Sequence, residues 1–194
     1  SDVYKRQDMP SSLMHIYLIE AGPRLLAGMS EESSAHAEQF LREMGVNILL
    51  NKRVVDYRDH KVVLEDGTEI ATRTFIWVSG VTGVTIGNLD TSLIGRGGRI
   101  KVDSFNRVEG MNNVFAIGDQ CIQLADENYP NGHPQLAQVA IQQGELLAKN
   151  LIRMEKGQEM KPFHYRNLGS MATVGRNRAV AEFSKVKMQG WFAW

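Results

Sequence analysis

Residues 15–50 constrain the fold more than any other part of the chain. His15–Glu20, HIYLIE, is an unbroken apolar run of the kind that a buried parallel strand needs. Gly22-Pro23 breaks it. Ser30 can cap a helix whose first turn holds Glu31 and Glu32, carboxylates that favour its positive end. Ala37, Phe40, Leu41 and Met44 recur at helical spacing, Gly45 suits the position just past a helix, and Val46–Leu50 is a second apolar run. Strand, helix and strand in that order predict parallel pairing with a helix laid over the sheet, and so an α/β fold.

The texture then changes. Arg53–Tyr57, Lys61–Glu65 and Thr68–Ala71 read as short strands, with Asp66-Gly67 as a hairpin turn. Thr74–Ser79, TFIWVS, is apolar and ends at Gly80. The glycine-rich stretch 83–98 reads as loop, followed by strands at Arg99–Asp103 and Asn113–Ile117. Pro134 opens a long helix, from about Gln135 to Arg153, and Phe163–Lys187 alternates as strands do. Ser1–Gln7 has neither period and reads as a polar tail or as foreign sequence joined to the start. No segment repeats, and no run is long and apolar enough to span a bilayer.

Lys and Arg number 22 and Asp and Glu 22, so no net charge steers the chain towards nucleic acid. Cys121 is the only cysteine, which excludes an intrachain disulfide and a redox dithiol within this segment. The five histidines form no HxxxH or HExxH pair, and no metal site is expected. There is no GxSxG elbow and no P-loop.

Chemistry concentrates in residues 113–144. In NVFAIGD an apolar strand runs into Gly118 and then Asp119. The glycine lets a backbone approach a ligand, and a carboxylate at the strand's carboxyl end can accept hydrogen bonds from a hydroxyl chain. Taken alone, the same residues suit a strand followed by an Asx turn. The surrounding segment, Gly98-Arg99-Ile100-Lys101-Val102-Asp103, Val108, Gly110 and then NVFAIGD, resembles the second flavin signature of flavoprotein reductases with two dinucleotide domains. That resemblance implies that Asp119 binds the ribityl chain of FAD.

Ala137-Gln138-Val139-Ala140-Ile141-Gln142-Gln143 resembles the AQxAxQQ motif of type II NADH:quinone dehydrogenases, single-subunit enzymes that pump no protons. The resemblance implies that this helix lies against the flavin and lines the quinone site. A helix starting near Gln135 would turn free N–H groups at Gln135, Leu136 and Ala137 towards the negative edge of a reduced flavin. Ala137 would admit the quinone head, and Gln138 and Gln142, four apart on one face, could donate to its carbonyl oxygens beside Gln143. A solvated polar helix face is the plainer alternative. Tyr165–Glu182 also resembles this family. Gly190-Trp191-Phe192-Ala193-Trp194 resembles the start of its membrane-attachment region, although Trp191 would equally serve as an aromatic edge of the core.

On the nicotinamide side, Glu20 ends the first strand. An acidic residue there binds ribose hydroxyls and disfavours a 2′-phosphate, which predicts NADH; nearby Arg24 counts against this or is a solvated loop charge. Trp77-Val78-Ser79-Gly80 resembles the family's WxxG turn, where Gly80 would admit the nicotinamide. Neither GxGxxG loop is present, so the resemblance, covering about Met14–Trp194, takes in only part of the family's chain.

The resulting expectation is an α/β fold with parts of two Rossmann-like dinucleotide-binding domains, a small β-rich insertion and the start of a C-terminal domain. Residues 1–14 form a tail, 15–79 a partial NADH-binding domain, 80–153 the later part of a FAD-binding domain, and 154–194 the start of a membrane-associated domain. The resemblance implies a peripheral flavoprotein on the cytoplasmic side of a bacterial inner membrane. It would pass electrons from NADH through FAD to a membrane quinone, with a homodimer as one assembly. This segment alone would be an inactive, poorly soluble fragment. A soluble reductase with another acceptor, and a non-catalytic remnant or dimerisation module, are the competing readings.

Overall fold

The structure is a computed structural model, and it describes residues 14–84, 86–183 and 186–194. The polar tail proposed at Ser1–Gln7 lies outside the described residues. The chain divides into two compact units. One runs through Trp77 and takes in Leu168–Trp194; the other is Val78–Asn167.

In the first unit, β1 (Ile16–Ile19) and β2 (Val46–Leu49) pair in parallel, with Ile16 opposite Val46. Between them runs α1 (Glu31–Glu43). Ser30 caps it by accepting the N–H of Ser33, and Gly45 leaves it at a φ of 83°. Three antiparallel strands follow: β3 (Val54–Arg58), β4 (Lys61–Leu64) and β5 (Glu69–Ala71), turning at Gly67. A second meander comes from the far end of the chain: β8 (Ser170–Gly175), β9 (Arg178–Phe183) and β10 (Val186–Gly190). The helix α1 packs on β2 and also on β8 and β9. The Glu182 carboxylate accepts from the Ser30 N–H at 2.9 Å and its hydroxyl at 2.5 Å, while Arg178 donates to the Phe40 carbonyl at 3.2 Å.

One expectation changes here. The HIYLIE strand was expected to be buried, yet Ile16 and Tyr17 are half exposed. A parallel pair with one helix layer covers one face only, and β1 has no second neighbour among the described residues. Thr74–Ser79 joins no ladder either, so Ile76, Trp77 and Val78 are exposed.

The second unit is built on β6 (Ile100–Val102) paired in parallel with β7 (Cys121–Gln123), Ile100 opposite Cys121. Ile100, Val102, Val108, Ala116 and Cys121 form its core, with Leu89, Leu93, Ile94 and Met111 against them. The long helix α2 spans Ala137–Glu155. The sequence placed a strand at Asn113–Ile117 and the ligand-binding turn at its carboxyl end. Instead, that run is extended but bridged only through Phe115 to Arg107, and the paired strand begins after the turn, at Cys121. The positive φ of Gly118 breaks the extended run, so Asp119 lies in a single 3-10 turn, Gly118–Gln120, that leads into β7 rather than leaving a ladder. The helix also starts later than Gln135: Leu136 is still extended, as the N-cap. No helix among the described residues is long and apolar enough to cross a membrane.

Candidate functional site

Gly118 and the start of α2 meet more closely than side chains normally allow. A Cβ on Gly118 would stand 3.2 Å from the Ala140 Cβ, and its φ is 65°, so two independent constraints favour glycine. The Gly118 N–H donates to Gln143 Oε1 at 2.7 Å, and Gln135 Nε2 donates to the Asp119 carbonyl at 3.2 Å. The Asp119 carboxylate side is exposed. Where α1 has a serine cap, α2 begins at Leu136 with no side-chain cap. A cradle without Cβ, a solvent-facing carboxylate and an uncapped helix end thus share one place.

Beneath this turn the packing is polar but dry. Gln143 is 1% exposed, and its amide also meets Cys121 Sγ, Oε1 at 3.7 Å and Nε2 at 3.6 Å. Burial pushes the Cys121 thiol up, which keeps it protonated and unreactive. Arg99 lies beside it, donating through Nε to the Cys121 carbonyl at 2.6 Å and through Nη2 to the His133 carbonyl at 3.1 Å.

Of the residues expected to face quinone, Ala137 is exposed and Gln138 half-buried. Gln142 uses both ends of its amide on Arg166, donating to the carbonyl at 2.9 Å and accepting the N–H at 3.0 Å. The same two-ended clamp recurs twice. Gln120 holds Val84 at 2.7 and 2.9 Å, and Asn150 holds Lys161 at 2.8 and 2.9 Å. Sequence reasoning gave Gln120 and Asn150 no role, because a clamp onto distant backbone leaves no periodic trace.

His133 was also passed over. It is 1% exposed, and its Nε2 lies 2.9 Å from Asp126 Oδ2. Tyr129, Phe163 and Tyr165 wall the ring at centroid distances of 5.0, 5.2 and 5.9 Å. Histidine and carboxylate seven residues apart form no metal-ligand motif, and Pro130 and Gly132 between them break any helix, so nothing in the sequence joins them.

In the first unit, Glu20 extends the parallel pair, its N–H donating to Leu49 O at 2.9 Å, and its carboxylate accepts the Gly22 N–H at 2.7 Å. Arg24 is no loose charge: its guanidinium donates to the carbonyls of Met29 and Ala27, both at 2.8 Å, and to Ser34 Oγ at 3.2 Å. In the second unit Gly80 is exposed, has a φ of 79°, and a Cβ there would touch nothing.

The residues around Gly118 fit a flavin dinucleotide: Asp119 can accept from a polyol chain, and the uncapped amides of α2 can face a negative ring edge. A type II NADH:quinone oxidoreductase of Mycobacterium tuberculosis, NdhA, is 34% identical over 192 residues, covering 92% of this chain and 39% of its own. The type II NADH:quinone oxidoreductase of Haemophilus influenzae is 30% identical over 190 residues, covering 94% and 42%. The chain therefore spans about two-fifths of the length of the curated relatives it matches. Its fold is similar to that of NDH2 from Plasmodium falciparum in complex with NADH, with TM-score 0.80 at 18% identity, over 91% of this chain and 51% of the other. It is also similar to the sulfide:quinone oxidoreductase of Aquifex aeolicus, with TM-score 0.71 at 15% identity, over 92% and 46%. Residues 8–144 match the family model described as pyridine nucleotide-disulphide oxidoreductase, and to that family this chain belongs.

Proposed function

We propose that this chain is part of an FAD-dependent NADH dehydrogenase that delivers electrons to a membrane quinone. The observation that carries the reading is the meeting of the Gly118–Asp119 turn with the uncapped start of α2, in a chain whose relatives are type II NADH:quinone oxidoreductases. When bound, the flavin supplies the hydride and electron chemistry. Asp119 holds the ribityl hydroxyls. The first turn of α2, which starts at Ala137 after Gln135 and the N-cap Leu136, offers its dipole to the negative edge of the ring. Gln143 keeps Gly118 at the distance this needs. Ala137 and Gln138 face the quinone, and Gln142 shapes that side through its hold on Arg166.

Glu20 selects NADH, since its carboxylate repels a 2′-phosphate and Arg24 spends its donors on loop carbonyls rather than on an anion. Gly80 leaves room for the nicotinamide. Trp191, Phe192 and Trp194 are 65%, 80% and 58% exposed, which supports docking on a lipid interface; the face we propose is the cytoplasmic side of a bacterial membrane.

The test is the full-length protein, purified and examined by visible absorption. A bound flavin that NADH bleaches, that NADPH bleaches poorly and that a short-chain quinone restores is expected. Asp119→Ala should lose the flavin. A colourless wild-type protein, or one that NADH leaves yellow, would overturn the reading.

A further inference from the structure

His133 stands one residue before Pro134, where the chain turns into α2. A buried imidazole enclosed by three aromatic rings is costly unless its nitrogens are bonded. One of them is. The hydrogen bond from His133 is the main reason the Asp126 carboxyl lies below its usual range, so Asp126 is an ionised acceptor and Nε2 is the donor. Nδ1 has no partner among the described residues, nor has the buried Tyr165 hydroxyl in the same aromatic box. An apolar side chain would fill this box without the unpaired Nδ1, but would leave the buried Asp126 carboxylate without its Oδ2 partner. What histidine adds is a fixed orientation.

That orientation is transmitted. The His133 carbonyl is held by Arg99 Nη2, and Nε of the same guanidinium holds the carbonyl of Cys121, two residues after Asp119. One arginine therefore joins the approach to α2 with the strand that leaves the Gly118–Asp119 turn. Gly132 makes the entry tight, since a Cβ there would lie 2.6 Å from Ile122 Cγ1 and its φ is 84°.

We propose that His133 is a positioning residue for the flavin: Asp126 clamps its ring, Arg99 holds its carbonyl, and together they set where the uncapped first turn of α2 stands relative to Asp119. The inference rests on the flavin placement proposed above. Displacing that turn weakens its grip on negative charge, so it penalises the reduced cofactor more than the oxidised one.

The experiment compares wild type, His133→Ala, His133→Gln and Asp126→Asn in the full-length, flavin-loaded protein. It reads the FAD dissociation constant, the flavin midpoint potential and the melting temperature. His133→Ala should bind FAD about tenfold more weakly, the size of one lost charge-assisted hydrogen bond, with a more negative potential. His133→Gln keeps an amide donor for Asp126 and should restore both. Wild-type affinity and potential in His133→Ala, or a loss that glutamine does not restore, overturns the proposal. If His133→Ala does not fold, an unchanged potential in folded Asp126→Asn overturns it instead, and a more negative one supports it. Wild type that takes up no FAD brings down the flavin placement and this inference with it; flavin-loaded wild type with indifferent variants brings down the inference alone.

Discussion

The side-chain oxygen of Gln143 accepts the backbone N–H of Gly118 at 2.7 Å from within the body of α2, on a residue that is almost wholly buried. Gln143→Leu keeps the volume and leaves that N–H unpaired, at a cost of about 1–3 kcal/mol. Gln143→Glu keeps an acceptor facing the same donor. The leucine variant should melt several degrees lower than the glutamate variant and carry less flavin. Equal melting and equal flavin content in the two would show that the bond does not hold the turn.

Both ends of this bond were conspicuous in the sequence, but the bond was not. NVFAIGD and AQVAIQQ stand out as motifs because their glycine and glutamines are unusual where they fall. The expectation that Gln143 helps to form the quinone pocket came from the resemblance to the AQxAxQQ motif. Its burial depends on the angle at which α2 meets β7, which no single segment encodes. The α1 cap at Ser30 and the Asp66-Gly67 turn were legible because each is settled within a few residues. The strand at 113–117 was misplaced because apolar runs announce burial, whereas a ladder also needs a neighbour.

Gly83 and Gly98 touch backbone to backbone: a Cβ on Gly83 would lie 2.3 Å from the Gly98 carbonyl oxygen. Gly87, in the same stretch, has nothing within 4 Å and needs no left-handed φ. Gly87→Ala should be neutral or stabilise by about 0.4–1 kcal/mol, through the unfolded chain. Gly83→Ala should destabilise by more than that. Chemical denaturation of the pair settles it, and equal midpoints would contradict the packing.

Glu182 caps α1 from across β9, and the Ser30 hydroxyl is the main reason its carboxyl lies below the usual range. A carboxyl depressed in the folded state stabilises above the ordinary glutamate value, about 4.3, and loses that contribution as pH falls through the lower folded value. The melting temperature of wild type should therefore exceed that of Glu182→Gln at neutral pH, with the gap closing in acid. A gap independent of pH would assign the effect to something other than the charge.

Arg24 donates to loop carbonyls ahead of α1 and to Ser34 in its first turn. Arg24→Ala should lower the melting temperature, as loss of several partly buried donors does, by about 1–3 kcal/mol in stability. The preference for NADH over NADPH in the full-length protein should not move. A variant that melts normally but loses residual NADPH turnover would reassign Arg24 to the cofactor.

The clamps made by Gln120, Gln142 and Asn150 have a consequence for how the second unit answers its surroundings. A carboxamide copies the donor and acceptor of a peptide group, so each clamp acts as one stray rung of ladder on backbone that has no strand beside it. Such a rung neither titrates nor fades in brine. The first unit's hairpin strands carry instead the exposed pairs Lys52–Asp66 and Lys61–Glu69, which ionic strength weakens. Shortening Gln120 or Gln142 to asparagine removes one methylene and withdraws the rung beyond reach, so each of these two amides is a ruler, and its length is what the loop reads.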